Sequence, residues 1–213
     1  MTPLVETAKN YALGIIQENC SNYPFHNVKH TTNVFNRSTL LAKEENLSPE
    51  DTEDLQIAAL FHDTGFAKQY PKNEYIGARI AKNWLTKRGH PEHRVEKVEN
   101  IIMATVLFAT PNNLLEEIIQ DADLDNLGRK DNFQSSKNLL KELRTIAKVD
   151  ISDKKFFTFV YELLSVYKFH TFSEIKERRA KKLAYLKQIT QYLIDHDYEV
   201  PEIKEEMQLR TIV

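Results

Sequence analysis

Apolar residues recur at intervals of three and four along almost the whole chain, a period that leaves packed helices as the only economical fold. The spacing predicts helices near 3–18, 26–45, 49–63, 73–88, 92–108, 111–126, 132–147, 153–169 and 172–195. Ser48-Pro49-Glu50 starts one of them with proline in the first turn, and Pro111-Asn112-Asn113 starts another. The run Phe156-Phe157-Thr158-Phe159-Val160-Tyr161 reads as a strand by itself, but Glu162-Leu163-Leu164 continues it in helical phase. The expected fold class is all-α.

Ionisable residues interrupt these apolar stretches at a few places. His26 and His30 stand four apart in Tyr23-Pro24-Phe25-His26-Asn27-Val28-Lys29-His30, and on a helix such a pair shares one face about 5–6 Å apart. His62 and Asp63 end the apolar run from Leu55 to Phe61, with Gly65 as the expected helix stop. Asp123 closes the amphipathic stretch that begins at Leu114, flanked by Asp121 and Asp125, which a helix projects elsewhere.

A carboxylate or imidazolium at the inner end of an apolar helix costs several kcal/mol unless it is partnered. A divalent cation is one such partner, and imidazole with carboxylate is a donor set for Mn, Co, Fe, Zn or Ni, with Mg less suited because it does not favour histidine. Two nitrogens and two oxygens around an octahedral ion leave about two positions for water and substrate, as in catalytic sites.

The chain contains its own control for this pattern. His196-Asp197 repeats the dipeptide near the end, but no second histidine follows at a helical offset and the neighbouring charges read as a solvated helix end. His90 and His93, separated by Pro91 and preceded by Gly89, read as an exposed turn. His170 lies in an aromatic knot that opens a helix, and Cys20 is lone and structural.

In their order along the chain these residues resemble the HD superfamily of metal-dependent phosphohydrolases. The family pattern is a histidine, an apolar strip ending in His-Asp, and a later aspartate after alanine. His30, Ala58-Ala59-Leu60-Phe61-His62-Asp63 and Ala122-Asp123 match it over roughly residues 20–130. The resemblance implies a helical bundle of the HD/phosphodiesterase-like type and His30, His62, Asp63 and Asp123 as ligands of one metal ion. Phe25-His26-Asn27 with His30 also looks like the Tyr-His-Asn-x-x-His element of cyclic-nucleotide phosphodiesterases, which implies His26 as proton donor to the leaving oxygen. Phe25 replaces the tyrosine, and no equivalent of the nucleotide-gripping glutamine is evident. Some HD enzymes use di-iron sites for oxygenase chemistry; Thr105 stands where their additional histidine is sought, so one metal is expected. Thr64-Gly65-Phe66-Ala67-Lys68 replaces the Glu-Asp pair of the guanosine-tetraphosphate hydrolases.

The chemistry that follows is hydrolysis of a phosphomonoester or phosphodiester of a nucleotide-like small molecule. The cation lowers the pKa of a water, Asp63 orients it for in-line attack, and His26 protonates the leaving group. The alternative is a regulatory HD module that binds metal and ligand without turnover.

Composition sets the remaining bounds. The chain has 213 residues and no Pro-, Gly- or Ser-rich linker, so one domain is expected, with an HD core about 20–130, C-terminal helices about 131–196 and a tail 197–213. A formal charge of −2 disfavours a dedicated nucleic-acid binder. The basic stripe Lys176, Arg178, Arg179, Lys181, Lys182 and Lys187 reads as a solvated face, with Arg178 and Lys182 the pair to examine for phosphate contacts. One cysteine rules out an internal disulfide framework, and without an apolar leader or an eighteen-residue apolar run the expected location is the cytoplasm, with no membrane partner. The oligomeric state is open, a homodimer included.

Overall fold

Helix-start chemistry places the elements close to where the apolar period puts them. The computed structural model describes residues 1–203; residues 204–213 of the expected tail lie outside the described residues. Nine α-helices form, with no strand among the described residues: α1 Pro3–Asn19, α2 Val28–Glu44, α3 Pro49–Phe61, α4 Asn73–Thr86, α5 Glu92–Met103, α6 Leu114–Asp123, α7 Asn132–Thr145, α8 Asp153–Val166 and α9 Phe172–Asp195. Thr2, Asn27, Ser48, Ser152 and Thr171 each accept a backbone N–H of the first turn that follows, meeting one of the four donors a helix start leaves orphaned. The Phe156–Tyr161 run is helical, as its continuation in phase requires.

The backbone groups into two compact units, Met1–Asp123 and Leu124–Val213. In the first, α3 is the central element and packs against α1, α2, α4, α5 and α6. Every residue from Asp54 to Phe61 is buried, which suits a helix surrounded on all sides. Asp54, fully buried, is compensated by Arg94 and Lys97 of α5, with Arg94 Nη2 2.6 Å from Asp54 Oδ1 and Lys97 Nζ 3.1 Å from Asp54 Oδ2. His90 joins this cluster: its side chain is 8% exposed and lies 3.7 Å from Asp54, so of the expected exposed pair only His93 is exposed.

In the second unit, the expected solvated stripe on α9 is partly turned inward. Lys182 is buried, and its ammonium donates to the carbonyls of Leu164 and Tyr167 at 2.6 and 2.7 Å, closing the C-terminus of α8. Burial pushes its pKa down to about 8. Arg178 pairs with Asp125 at 2.5 Å and with Glu177 at 2.6 Å. Both residues singled out for phosphate contacts are therefore occupied within the fold. Among the described residues no helix is long and apolar enough to cross a membrane.

Candidate metal centre

Three helices of the first unit bring the expected residues together. Asn27 Oδ1 accepts the amide of Lys29 at 2.9 Å and starts α2, setting His30 in its first turn. α3 runs out at Phe61, and His62 and Asp63 occupy its junction with a 3-10 turn, Thr64–Ala67. Asp63 has φ −97° and ψ 0°, the bridge conformation common at functional turns. Asp123 is the last residue of α6, and Asp121 is buried away from solvent one half-turn earlier.

The four side chains meet at short range. His30 Nε2 is 3.0 Å from Asp123 Oδ1 and 3.3 Å from Asp63 Oδ2; His62 Nε2 is 3.1 Å from Asp63 Oδ2 and 3.6 Å from Asp123 Oδ1. One ligand atom from each of His30, His62 and Asp123 falls within 4.8 Å of the other two. The buried atoms His30 Nε2, His62 Nε2 and Asp63 Oδ2 have no aligned hydrogen-bond partner despite these distances. Lone pairs that aim at a common point rather than at each other produce this arrangement, and a cation there would satisfy all of them. His62 Nδ1 lies 2.9 Å from the Ala59 carbonyl and must donate to it, leaving Nε2 bare in the neutral ring.

Electrostatics sharpen the same point. Burial disfavours charge on both imidazoles, but contact with Asp123 and Asp63 raises His30 to about 9, and Asp63 and Asp123 hold His62 well above its ordinary value. Burial opposes ionisation of Asp63 and Asp123 too; His62 and His30 hold Asp63 well below the carboxylate range, and His30 then His62 do the same for Asp123. Protons and a cation therefore compete for one position. Side-chain exposure is 1% for His62, 6% for Asp63, 10% for His30 and 22% for Asp123, so the centre opens on the Asp123 side.

His26 enters differently from the sequence expectation. Pro24 and the Asn27 cap start α2 at Val28, so His26 precedes the helix instead of sharing its face with His30. Its ring stacks on Phe66 at 4.3 Å and stands nearly perpendicular to His30 at 5.5 Å, with Phe25 packed on both histidines. Gly65 also has another reason than the expected helix stop: a Cβ there would fall 1.9 Å from the Asn73 carbonyl oxygen, so the glycine lets α4 approach the His62-Asp63 turn.

His196 is an exposed helix-end residue, with Nδ1 2.8 Å from the Tyr192 carbonyl, and it belongs to no metal-capable group among the described residues. Sequence reasoning missed Glu74. It is half-buried in the first turn of α4, and its carboxyl is pushed up by burial and then by Asp63 and Asp123. An acid in a first turn is ordinarily a solvated complement to the helix dipole, so the sequence offered no distinguishing signal.

The HD domain family model matches residues 27–126. A comparison with curated proteins found no significant match. Among solved structures, Bacillus subtilis YpgQ in complex with ADP superposes with a TM-score of 0.64 at 16% identity, over 90% of this chain and 94% of that one. The Lin1889 protein from Listeria innocua gives 0.61 at 19%, over 89% and 93%. A predicted HD superfamily hydrolase from an uncultured Thermotogales bacterium gives 0.55 at 21%, over 88% and 92%. At these identities the likeness is one of fold.

Proposed function

We propose that this chain, whose residues 27–126 match the HD domain family, is a metal-dependent hydrolase of the HD superfamily and hydrolyses a phosphomonoester or phosphodiester of a nucleotide-like small molecule. The observation that carries this reading is the convergence of His30 Nε2, His62 Nε2 and Asp63 Oδ2, buried and without aligned partners, beside the more open Asp123. In the proposal these four residues hold one divalent ion, with Mn, Co, Fe, Zn or Ni favoured by the two imidazoles and Mg admitted by the carboxylates. When bound, such an ion neutralises a phosphoryl oxygen and lowers the pKa of water.

The protein's own groups supply the rest. The Ala59 carbonyl holds the His62 tautomer, so that Nε2 is available without reorganisation. Asp63 accepts a hydrogen bond from the attacking water. A protonated His26, held by stacking on Phe66, donates to the leaving oxygen. Attack forms a new P–O bond as the ester P–O bond breaks; the His26 proton ends on the alcohol released, and the proton that the water gives up passes to solvent, from which His26 is protonated again. The ADP complex of the YpgQ structure supports the nucleotide-like class through the shared fold.

An activity screen over nucleoside mono-, di- and triphosphates, cyclic nucleotides and dinucleotides, with manganese, magnesium, cobalt and zinc compared, tests this reading. Metal-dependent release of a phosphate product from one class is expected. Silence across the panel supports the binding-module alternative instead.

A further inference from the structure

α4 is fitted against the His62-Asp63 turn at two points. A Cβ on Gly65 would lie 1.9 Å from the Asn73 carbonyl oxygen, and one on Gly77 would lie 2.7 Å from the His62 carbonyl oxygen and 2.8 Å from that of Phe61. Contacts this close hold backbone against backbone, with no side chain between to yield. Glu74 sits between them, directly after Asn73 and one turn before Gly77. Its place relative to the metal centre is thus set by main-chain packing on both sides.

The surroundings of its carboxyl are unusual for a first-turn acid. Glu74 is half-buried, it bonds to its own amide, and the charged groups that act on it are Asp63, Asp123 and His62 of the centre. Among the described residues no lysine or arginine pairs with it. Burying an acid beside two other carboxylates is unfavourable, and a stabilising dipole contact could be made from an exposed position. No hydrogen bond or ion pair joins Glu74 to His30, His62, Asp63 or Asp123, which contact one another at 3.0–3.6 Å. It therefore stands outside the contacts those four make with one another, on a helix that Gly65 and Gly77 hold against their turn.

We propose that Glu74 is a further catalytic residue of this centre, its carboxylate accepting a hydrogen bond from the water that attacks phosphorus and so fixing the direction of attack. This role rests on the phosphohydrolase reading. Asp63 and Glu74 then share the two water protons, while the oxygen lone pair faces the phosphorus.

The test uses the full chain, wild type beside Glu74→Gln and Glu74→Asp, with manganese and with p-nitrophenyl phosphate and its bis ester as probes. For Glu74→Gln, kcat falls about 100-fold with KM within about threefold, because the lost contact acts in the transition state. Manganese titrated calorimetrically still binds at about one ion per chain with affinity within about threefold, since Glu74 is no ligand in this account. Glu74→Asp keeps the carboxylate and recovers at least about tenfold of the lost rate. A Glu74→Gln enzyme as fast as wild type overturns the role, as does an Asp variant no faster than the Gln variant. Manganese affinity weakened more than about tenfold overturns it too, by making Glu74 a ligand. Where the wild type is inactive on both esters, the three proteins are compared on the nucleotide that the activity panel identifies, and silence across that panel brings down the phosphohydrolase reading and this role with it. An active wild type with an equally active Glu74→Gln variant brings down the role of Glu74 alone.

Discussion

His30 Nε2 lies 3.0 Å from Asp123 Oδ1, although α3, α4 and α5 separate the two residues in the chain, because α2 packs directly against α6. Neither residue would be buried with its charge unless something held the pair, and without a cation that agent is the shared proton. His30 keeps its proton up to about 9 because Asp123 and Asp63 outweigh the cost of burial.

This sets the pH dependence of stability for the chelated protein. His30 is raised above its ordinary 6.5, so its contribution is full below that value and is lost as pH rises through about 9. Asp63 and Asp123 are depressed below their ordinary 3.8, so their contribution is present above that value and is lost as pH falls through the lowered one. Thermal unfolding of the chelated protein followed from about pH 5 to 10 therefore shows a falling Tm on the alkaline side, and saturating manganese removes that decline. A chelated protein with a flat alkaline profile contradicts the assignment.

The two His-Asp dipeptides should separate cleanly. Alanine at His62 or Asp63 abolishes metal binding and activity, whereas His196→Ala, on an exposed helix end, changes neither. Metal analysis of the purified variants checks this, and full stoichiometry in Asp63→Ala sinks the ligand set.

His26 stacks outside the four converging groups, so its loss should spare metal binding and slow the chemistry. His26→Ala is expected to lower kcat about 10²-fold or more toward esters with poor leaving groups, and much less toward nitrophenyl esters that need no proton. Equal effects on both ester types rule out the acid role.

At Gly65 the expected effect is on the fold. Gly65→Ala drives a methyl group into the Asn73 carbonyl and forces α4 away from the His62-Asp63 turn, costing about 1–3 kcal/mol by overpacking. Urea unfolding of the variant measures it, and an unchanged midpoint refutes the close-approach explanation.

The helices were legible because their apolar period and their starts agree: Ser48 caps α3 with Pro49 in its first turn, as the sequence chemistry requires. The convergence of the candidate site residues was legible for a related reason, since His62, Asp63 and Asp123 stand at the ends of apolar helices, where a charge needs a partner. What stayed hidden depends on contacts distant in sequence. Lys182 reads as one more base on a charged helix until the carbonyls of Leu164 and Tyr167 are seen at its ammonium. His90 reads as a loop residue until Asp54 is found beside it. Glu74 reads as a helix-dipole complement until α4 is found against the His62-Asp63 turn. His26 reads as sharing a helix face with His30 until Asn27 is seen to cap α2 at Val28.

The most direct test of the central claim is phosphate-product release measured on one protein sample before chelation, after chelation and after restoring manganese. Activity that disappears with the chelator and returns with the ion is the predicted result. Hydrolysis that persists at full rate in the fully chelated protein would contradict the account.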